Sequence, residues 1–377
     1  MPEKILLVTV DRLPAWILPA WGATWVAAPT LDALAARGIV FDRLLTPALD
    51  PRTMARDLLG HGETSLLAAS GDSAAVISDQ QAIVDAVEPP ASVAVTIVAP
   101  TLPAAPAADE AATNLGRLYD AATKIRVDKQ PGFIWVHAGS LGTAWDAPDE
   151  LRATYLDPDD PPPPAGCGVP NMPVDAATDP DLLVALRHVF AAQVTLLDRC
   201  LATLVEAGDG SDLICVVGLR GMPLGLHDWI GGEGDGPEPR LPYGESIHVP
   251  AILVDPAGRM AGQRFGGLAT PADLGATLRE LASGNAPEAT ADEPSCGHSL
   301  AGLLVNWQAP PRERVIVRGA AGDAVVTPAW HSIVARSAVA GEETLLFAKP
   351  DDFFEQANVA NRCRHVAAEL AAMLAGK

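Results

Sequence analysis

The chain has 377 residues, of which 49% are hydrophobic, so it can bury a sizeable core in one large α/β domain or in two smaller ones. Its 26 basic and 47 acidic residues give a formal net charge of −21, which argues against nucleic acid or an anionic membrane as a partner. An anionic ligand would gain no long-range attraction from this charge and would need local cations.

The cysteines and the N-terminus bear on where the protein works. The five cysteines are scattered and show no CxxC spacing, which indicates neither a zinc site nor a disulfide framework. Lys4 leads directly into an apolar run without the layout of a signal peptide, and no run approaches the roughly 20 apolar residues of a membrane span. We predict a soluble, cytoplasmic protein.

The first predicted element is a strand at residues 5–10. This continuous apolar run is typical of a strand buried on both faces of a parallel sheet. It ends in Asp11 and Arg12, which we expect at the carboxyl edge of the sheet, where α/β proteins bind their ligands.

A helix, a second strand and a second helix are predicted next. Thr30 is the expected N-cap of the first helix, and Gly38 stands where a C′ glycine belongs. Residues 39–45 read as a strand, and residues 51–59 are expected to form a loop that runs into a helix.

Strands and helices alternate through the middle of the chain. Short apolar runs bounded by turn residues predict strands, and apolar residues at helical spacing predict helices. The predicted strands are 73–78, 93–99, 132–137, 213–218 and 249–254, and the predicted helices are 109–124 and 181–207. This alternation favours a mostly parallel sheet with helices on both faces.

The longest irregular segment is 139–180, which contains the sequence DPDDPPPP at 157–164. Proline cannot donate to a strand ladder and favours extended backbone. We interpret this segment as a surface excursion within one domain.

The pattern changes after about residue 310. Short strands joined by glycine-containing turns predict an antiparallel meander, and an amphipathic helix follows it. The strands are expected at 315–318, 324–327, 331–335 and 344–347, and the helix at 362–374. We therefore divide the chain into an α/β domain at 1–309 and a small antiparallel subdomain at 310–377.

Four segments resemble the sulfatases of the alkaline phosphatase superfamily. They are ILLVTVDR (5–12), APTLDALAARGIVF (28–41), LDPRTMARDLLG (49–60) and ETLLFAKPDDFFEQANVAN (343–361). The resemblance implies an alkaline phosphatase-like α/β fold, with a mostly parallel central sheet between helices and a small C-terminal antiparallel α+β subdomain. It also implies sulfuric ester hydrolysis by a formylglycine nucleophile, made from cysteine, beside a divalent cation.

The residues at the family's metal positions depart from its pattern. The first metal carboxylate matches Asp11, and the second falls on Arg12. Within VGLRGMPLGLH (217–227), Leu219 and Arg220 stand at the other two ligand positions. Leucine cannot ligate a hard cation, and arginine opposes one. We expect no cofactor, with Ca²⁺ or Mg²⁺ bound only if the site is retained after all, and we expect Asp11 to pair with Arg12 or Arg220.

The nucleophile segment departs as well. The family's cysteine falls on Pro51, and residues 1–166 contain no cysteine. Phosphatases of the superfamily use Ser or Thr, so Thr53 is an alternative nucleophile, although a loop threonine is more often a cap or turn residue. Arg56 lies next to the position of the family's arginine.

Three further residues lie at or near family site positions, namely His137, His227 and Arg240. For His137 a structural role is the more common reading, whereas for His227 the structural and functional readings are equally weighted. The tryptophans at 16, 21, 25, 135 and 145 are expected in core or interface packing rather than around a pocket.

Three functions therefore stay open. The leading hypothesis is a sulfatase-like protein that has lost sulfatase chemistry and has a binding or structural role. The second is a sulfuric or phosphoric ester hydrolase with a rearranged site, and the third is a module that binds an anion through arginines. The sequence leaves open a small anion or a protein as partner, and a homo-oligomer. The arginines that would hold an anion are Arg12, Arg52, Arg56, Arg220 and Arg240.

Overall fold

The computed structural model describes residues 4–62, 65–232, 236, 239–283, 297–303, 312–337 and 341–375. The predicted boundary between residues 309 and 310 lies outside these ranges, so the division into two domains stays a prediction.

The centre of the fold is a sheet of nine described strands, whose order is β11–β2–β10–β7–β1–β5–β3–β4, with β9 paired to β2. Only β9 and β10 run antiparallel to their neighbours, which confirms the mostly parallel sheet. The strands are β1 (Lys4–Asp11), β2 (Ile39–Leu45), β3 (Ala74–Ser78), β4 (Ala94–Ile97), β5 (Phe133–Ala138), β7 (Asp212–Arg220), β9 (His248–Val249), β10 (Ala251–Val254) and β11 (Gln263–Ala269). A separate antiparallel pair consists of β6 (Asn171–Pro173) and β8 (Trp229–Gly231).

Helices cover both faces of this sheet. They are α1 (Pro29–Arg37), α2 (Pro51–Leu59), α3 (Leu66–Ser70), α4 (Gln81–Val87), α5 (Asn114–Lys129), α6 (Asp149–Ala153), α7 (Pro180–Glu206), α8 (Gly244–Ile247) and α9 (Pro271–Ser283). Leu6 and Val8 of β1 join an apolar cluster with α1, α5 and α7, while Ile5 and Leu7 join a cluster with α2, α4 and α9. The strand is therefore buried on both faces, as its apolar run predicts.

Helix α7 is 27 residues long and has the length and composition of a membrane-crossing helix. Of its most apolar stretch, 61% is buried inside the structure. Phe190 and Leu197 belong to the main apolar cluster, so α7 occupies the position of a core helix.

The C-terminal part forms an antiparallel meander, as predicted. Its strands are β12 (Val315–Arg318), β13 (Gly322–Val326), β14 (Trp330–Ser337) and β15 (Gly341–Ala348), followed by helix α10 (Arg364–Leu374). Val317 and Ile333 of this sheet share a buried cluster with Leu45, Leu49 and Ile247. The small sheet is thus packed against the end of β2 and against α8.

The caps of α1 differ from the prediction. The helix begins at Pro29 after the N-cap Ala28, and the amides of Thr30 and Leu31 donate to the carboxylate of Asp198, at 3.0 and 2.8 Å. Thr30 is therefore not the N-cap, because a side chain of α7 satisfies the orphan amides instead. Gly38 has an extended backbone rather than a left-handed one, and a side chain there would clash with the carbonyl of Leu253.

Two predicted helix starts and the predicted irregular segment also differ. Helix α2 begins directly at Pro51, because Asp50 caps it, so no loop precedes it within 51–59. Helix α5 begins later than predicted, since Thr113 caps it. The excursion at 139–180 contains regular structure, namely α6 and β6.

Candidate functional site

A buried ion pair lies at the carboxyl ends of β1 and β7. Arg220 donates from Nε to Oδ1 and from Nη2 to Oδ2 of Asp11, both at 2.8 Å, which is the bidentate geometry of a strong charge-assisted contact. The side chains are 0% and 1% exposed. A third bond runs from Arg220 Nη1 to the carbonyl of Gly236, at 2.5 Å. The predicted pairing of Asp11 with an arginine is confirmed.

A shift of register brings this pair together. Val10 lies opposite Gly218, but the next residue, Asp11, lies opposite Arg220. Leu219 is therefore the extra residue of a bulge, a device that redirects side chains at the end of a strand. It is fully buried in the apolar cluster on the α2 side of the sheet.

Arg12 lies beside the pair and is 2% exposed. Its φ of +63° is a left-handed conformation that non-glycine residues seldom adopt, so the chain turns sharply directly after β1. The guanidinium lies against Gly232, where any side chain would collide with it. Two arginines thus lie at the edge of the sheet where the resemblance to sulfatases implies a cation.

The described residues at this edge do not fit a divalent cation. Both carboxylate oxygens of Asp11 accept from Arg220, and Ca²⁺ or Mg²⁺ would need several oxygen ligands there. Within the described ranges, no group of three or more His, Cys, Asp or Glu side chains is placed to hold a metal ion.

The nucleophile segment forms the first turns of α2. The hydroxyl of Thr53 is exposed and donates to Asp50 Oδ2 at 2.9 Å, while the amide of Arg52 donates to Asp50 Oδ1 at 3.2 Å. These are the contacts of a helix N-terminus satisfied by its cap. Arg56 is directed to α4, where it contacts Glu88 at 3.4 Å and the carbonyl of Ala86.

His137, at the end of β5, is fully buried in a hydrogen-bonded network. Its Nδ1 is 2.9 Å from Thr9 Oγ1, and its Nε2 is 3.1 Å from Gln80 Oε1. These contacts tie β5 to β1 and to the end of β3, which is a structural role.

Asp79 was not singled out from the sequence. It accepts from the amides of Gly139 and Ser140, at 2.7 and 2.8 Å, and burial raises its pKa to about 6 even though those bonds act to lower it. The signal was present, since Asp79 directly follows the apolar strand β3.

His227 and Arg240 lie on the side of the small sheet. The Nδ1 of His227 is 3.0 Å from Glu245 Oε1, and its ring stacks on Tyr243 with centroids 3.8 Å apart. Burial lowers the pKa of His227, but the hydrogen bond and charge of Glu245 raise it, and the net shift is upward. Arg240 stacks over Trp229 at 4.2 Å and donates to Asn171 at 2.6 Å. Of the five arginines, only Arg12 and Arg220 are seen together beside Asp11.

Known structures share this architecture although sequence comparison finds no relative. No protein-family model matches the chain, and no curated protein does. The phosphonate monoester hydrolase of Agrobacterium radiobacter superimposes with a TM-score of 0.74 at 16% identity, covering 98% of this chain and 94% of that one. A 2-O GAG sulfatase superimposes with a TM-score of 0.74 at 16% identity, covering 100% of this chain and 92% of that one. A putative sulfatase from Bacteroides thetaiotaomicron superimposes with a TM-score of 0.71 at 15% identity, again covering 100% of this chain and 92% of that one. The chain therefore has the fold that sulfatases share with phosphonate monoester hydrolases, the fold of the alkaline phosphatase superfamily.

Proposed function

We propose that this protein keeps the sulfatase fold but does not hydrolyse sulfate esters, and that it acts by binding a partner molecule. The observation that carries the proposal is the bidentate pair of Asp11 and Arg220, which is buried at the edge where sulfatases place their cation. The positive charge of Arg220 neutralises this carboxylate on both oxygens and opposes a second cation at the same place.

The chemistry of ester hydrolysis supports the same reading. Such a reaction needs an activated nucleophile, a Lewis acid and cations that stabilise developing charge. The cysteine position holds Pro51, the first residue of α2, and two metal positions hold Leu219 and Arg220. Two of the three requirements, the nucleophile and the Lewis acid, therefore have residues of the wrong type at their positions.

A hydrolase with a rearranged site is the second candidate, because the hydroxyl of Thr53 contacts a carboxylate, that of Asp50. A carboxylate is a weak base toward a threonine hydroxyl, and the same carboxylate caps α2. The capping role explains the contact without a reaction.

Two measurements test the proposal. The first is turnover of aryl sulfates by the protein co-expressed with a formylglycine-generating enzyme, with an active sulfatase as positive control. We expect no turnover, and we expect Pro51→Cys alone to fail as well, since catalytic groups that act as a unit do not add independently. The second is elemental analysis after dialysis against Ca²⁺ or Mg²⁺, in which we expect no stoichiometric metal.

Two results would overturn the proposal. One is turnover that follows the protein through purification and disappears in Thr53→Ala, which would establish the hydrolase with Thr53 as nucleophile. The other is one equivalent of divalent metal that Asp11→Ala removes.

A further inference from the structure

A cavity of about 630 Å³ lies between the end of β2 and the C-terminal sheet, and neither Asp11 nor Arg220 lines it. Its walls come from the segment 16–22 after β1, the end of β2, the loop that holds His227, and the segment 349–355 after β15. This volume falls within the roughly 300–1,000 Å³ of small-molecule sites.

The walls are mainly aromatic and aliphatic. Trp16 meets Phe354 edge to face with centroids 5.9 Å apart, and Phe354 meets Phe353 at 5.0 Å. Phe353 and Phe354 stay 37% and 44% exposed, so apolar rings are left facing solvent at the rim. Aromatic walls of this kind suit a flat, apolar ring system.

Three polar ring nitrogens of lining residues are buried and have no hydrogen-bond partner within the described part of the chain. They are Nε1 of Trp16, Nε2 of His227 and Nε2 of His331. An indole N–H can only donate a hydrogen bond, so the partner that Trp16 lacks is an acceptor. A buried polar group without a partner is destabilising, and a ligand that supplies one recovers part of that cost.

The two histidines are held in fixed orientations by carboxylates. His227 Nδ1 lies 3.0 Å from Glu245 Oε1, and His331 Nδ1 lies 2.6 Å from Glu355 Oε1. Because a carboxylate accepts, each Nδ1 carries a hydrogen and donates it, and each Nε2 is left to interact with something else.

The charged groups of the lining are already paired. Lys349 lies 2.8 Å from Glu355, and Arg264 lies 2.5 Å from Asp42. Arg43 donates to the carbonyls of Pro328 and Gly266, at 2.9 and 3.2 Å. The cavity therefore offers apolar surface and a few ring nitrogens rather than a net charge, which does not suit a multiply charged ligand.

We propose that this cavity is a binding site for a largely apolar, ring-containing small molecule that carries a hydrogen-bond-accepting oxygen. The aromatic walls hold the rings, and the indole N–H of Trp16 recognises the oxygen. The site does not depend on the proposed loss of sulfatase activity, because neither Asp11 nor Arg220 lines it.

The test compares matched probes by isothermal titration calorimetry on the full chain. The probes are 2-acetylnaphthalene, its deoxygenated counterpart 2-ethylnaphthalene, and 2-naphthoate. We expect saturable binding of 2-acetylnaphthalene and about tenfold weaker binding of 2-ethylnaphthalene, since one hydrogen bond is worth about that factor. We expect 2-naphthoate to bind no more tightly than 2-acetylnaphthalene, because the charged groups of the lining are already paired, and tighter binding of the naphthoate would refute a largely apolar ligand.

Three variants locate the site. Trp16→Phe keeps the aromatic wall but removes the N–H, so the preference for the acetyl probe should fall about tenfold. Leu226→Trp should abolish binding of every probe by filling the cavity. Trp25→Phe is the control, because Trp25 is 42% exposed, meets Tyr155 and does not line the cavity.

Thermal unfolding of each variant checks that it is folded. Absence of saturable binding would refute the site, and equal affinity for the acetyl and ethyl probes would refute the role of the accepting oxygen. Unchanged discrimination in Trp16→Phe, or unchanged binding in Leu226→Trp, would place binding elsewhere and so also refute the proposal.

Discussion

The buried pair of Asp11 and Arg220 makes a quantitative prediction about stability. Removing one partner breaks a bidentate ion pair in a site that is 0–1% exposed, and breaking a buried pair costs about 3–5 kcal/mol. We expect that loss in the free energy of unfolding for both Asp11→Ala and Arg220→Met. The double variant should lose clearly less than the sum, because both single changes break the same contact.

Urea unfolding followed by circular dichroism measures these four proteins, and the slope with urea checks that the compactness of the end states is unchanged. Glu88→Gln is the matched control. It breaks the pair of Arg56 and Glu88, whose side chains are 51% and 74% exposed, and exposed pairs contribute about 0–1 kcal/mol.

A cost for Asp11→Ala no larger than that of the Glu88→Gln control would contradict this prediction. Simple addition of the two single changes in the double variant would contradict it as well. In either case the contact would not be an interdependent ion pair.

Three further predictions concern other parts of the molecule. Gly221→Ala should lower the free energy of unfolding by about 1–3 kcal/mol, because the new methyl group would collide with the carbonyl of Glu245. Gly166→Ala is the control and should change that free energy by less than about 0.5 kcal/mol, because no atom lies within 4 Å of the added methyl group. Equal effects of the two changes would contradict this prediction. Burial lowers the pKa of His248 to about 4, so His248 binds a proton more readily in the unfolded chain than in the folded one. The stability that its neutral form contributes above pH 6.5 should therefore be lost as the pH falls through 4. Melting temperatures from pH 7 to 4 measure this loss, and His248→Gln should show a shallower fall. Asp50→Ala should lower the free energy of unfolding by about 0.5–2 kcal/mol, because it removes the N-cap of α2, whereas Asp50→Asn should change it little. Urea unfolding measures both variants, and equal losses would argue against capping.

The order of elements could be predicted from sequence because it depends on local patterns. The run at 5–10 is apolar at every position, and β1 is buried on both faces. The cap of α1 could not be predicted, since Asp198 reaches Thr30 and Leu31 across 167–168 residues of sequence. Propensity alone selected Thr30, and tertiary packing overrode it.

The candidate site shows the same division. The pairing of Asp11 with an arginine followed from opposite charges at two motif positions, but the bulge at Leu219 that aligns them is a property of the assembled strands. The tryptophans illustrate the converse. Trp135 and Trp145 are in the core as expected, yet Trp16 and Trp21 line a cavity whose other wall is contributed by Phe353 and Phe354, more than 300 residues away.

The bulged Leu219 also limits how this protein could change. Its side chain fills the apolar cluster at a position where sulfatases have a metal-binding aspartate, so Leu219→Asp alone would put a carboxylate among aliphatic groups. Removing Arg220 alone would break the buried pair with Asp11. Each of these single changes toward a cation site is therefore destabilising before any metal can bind, so Leu219 and the buried pair both oppose such a site.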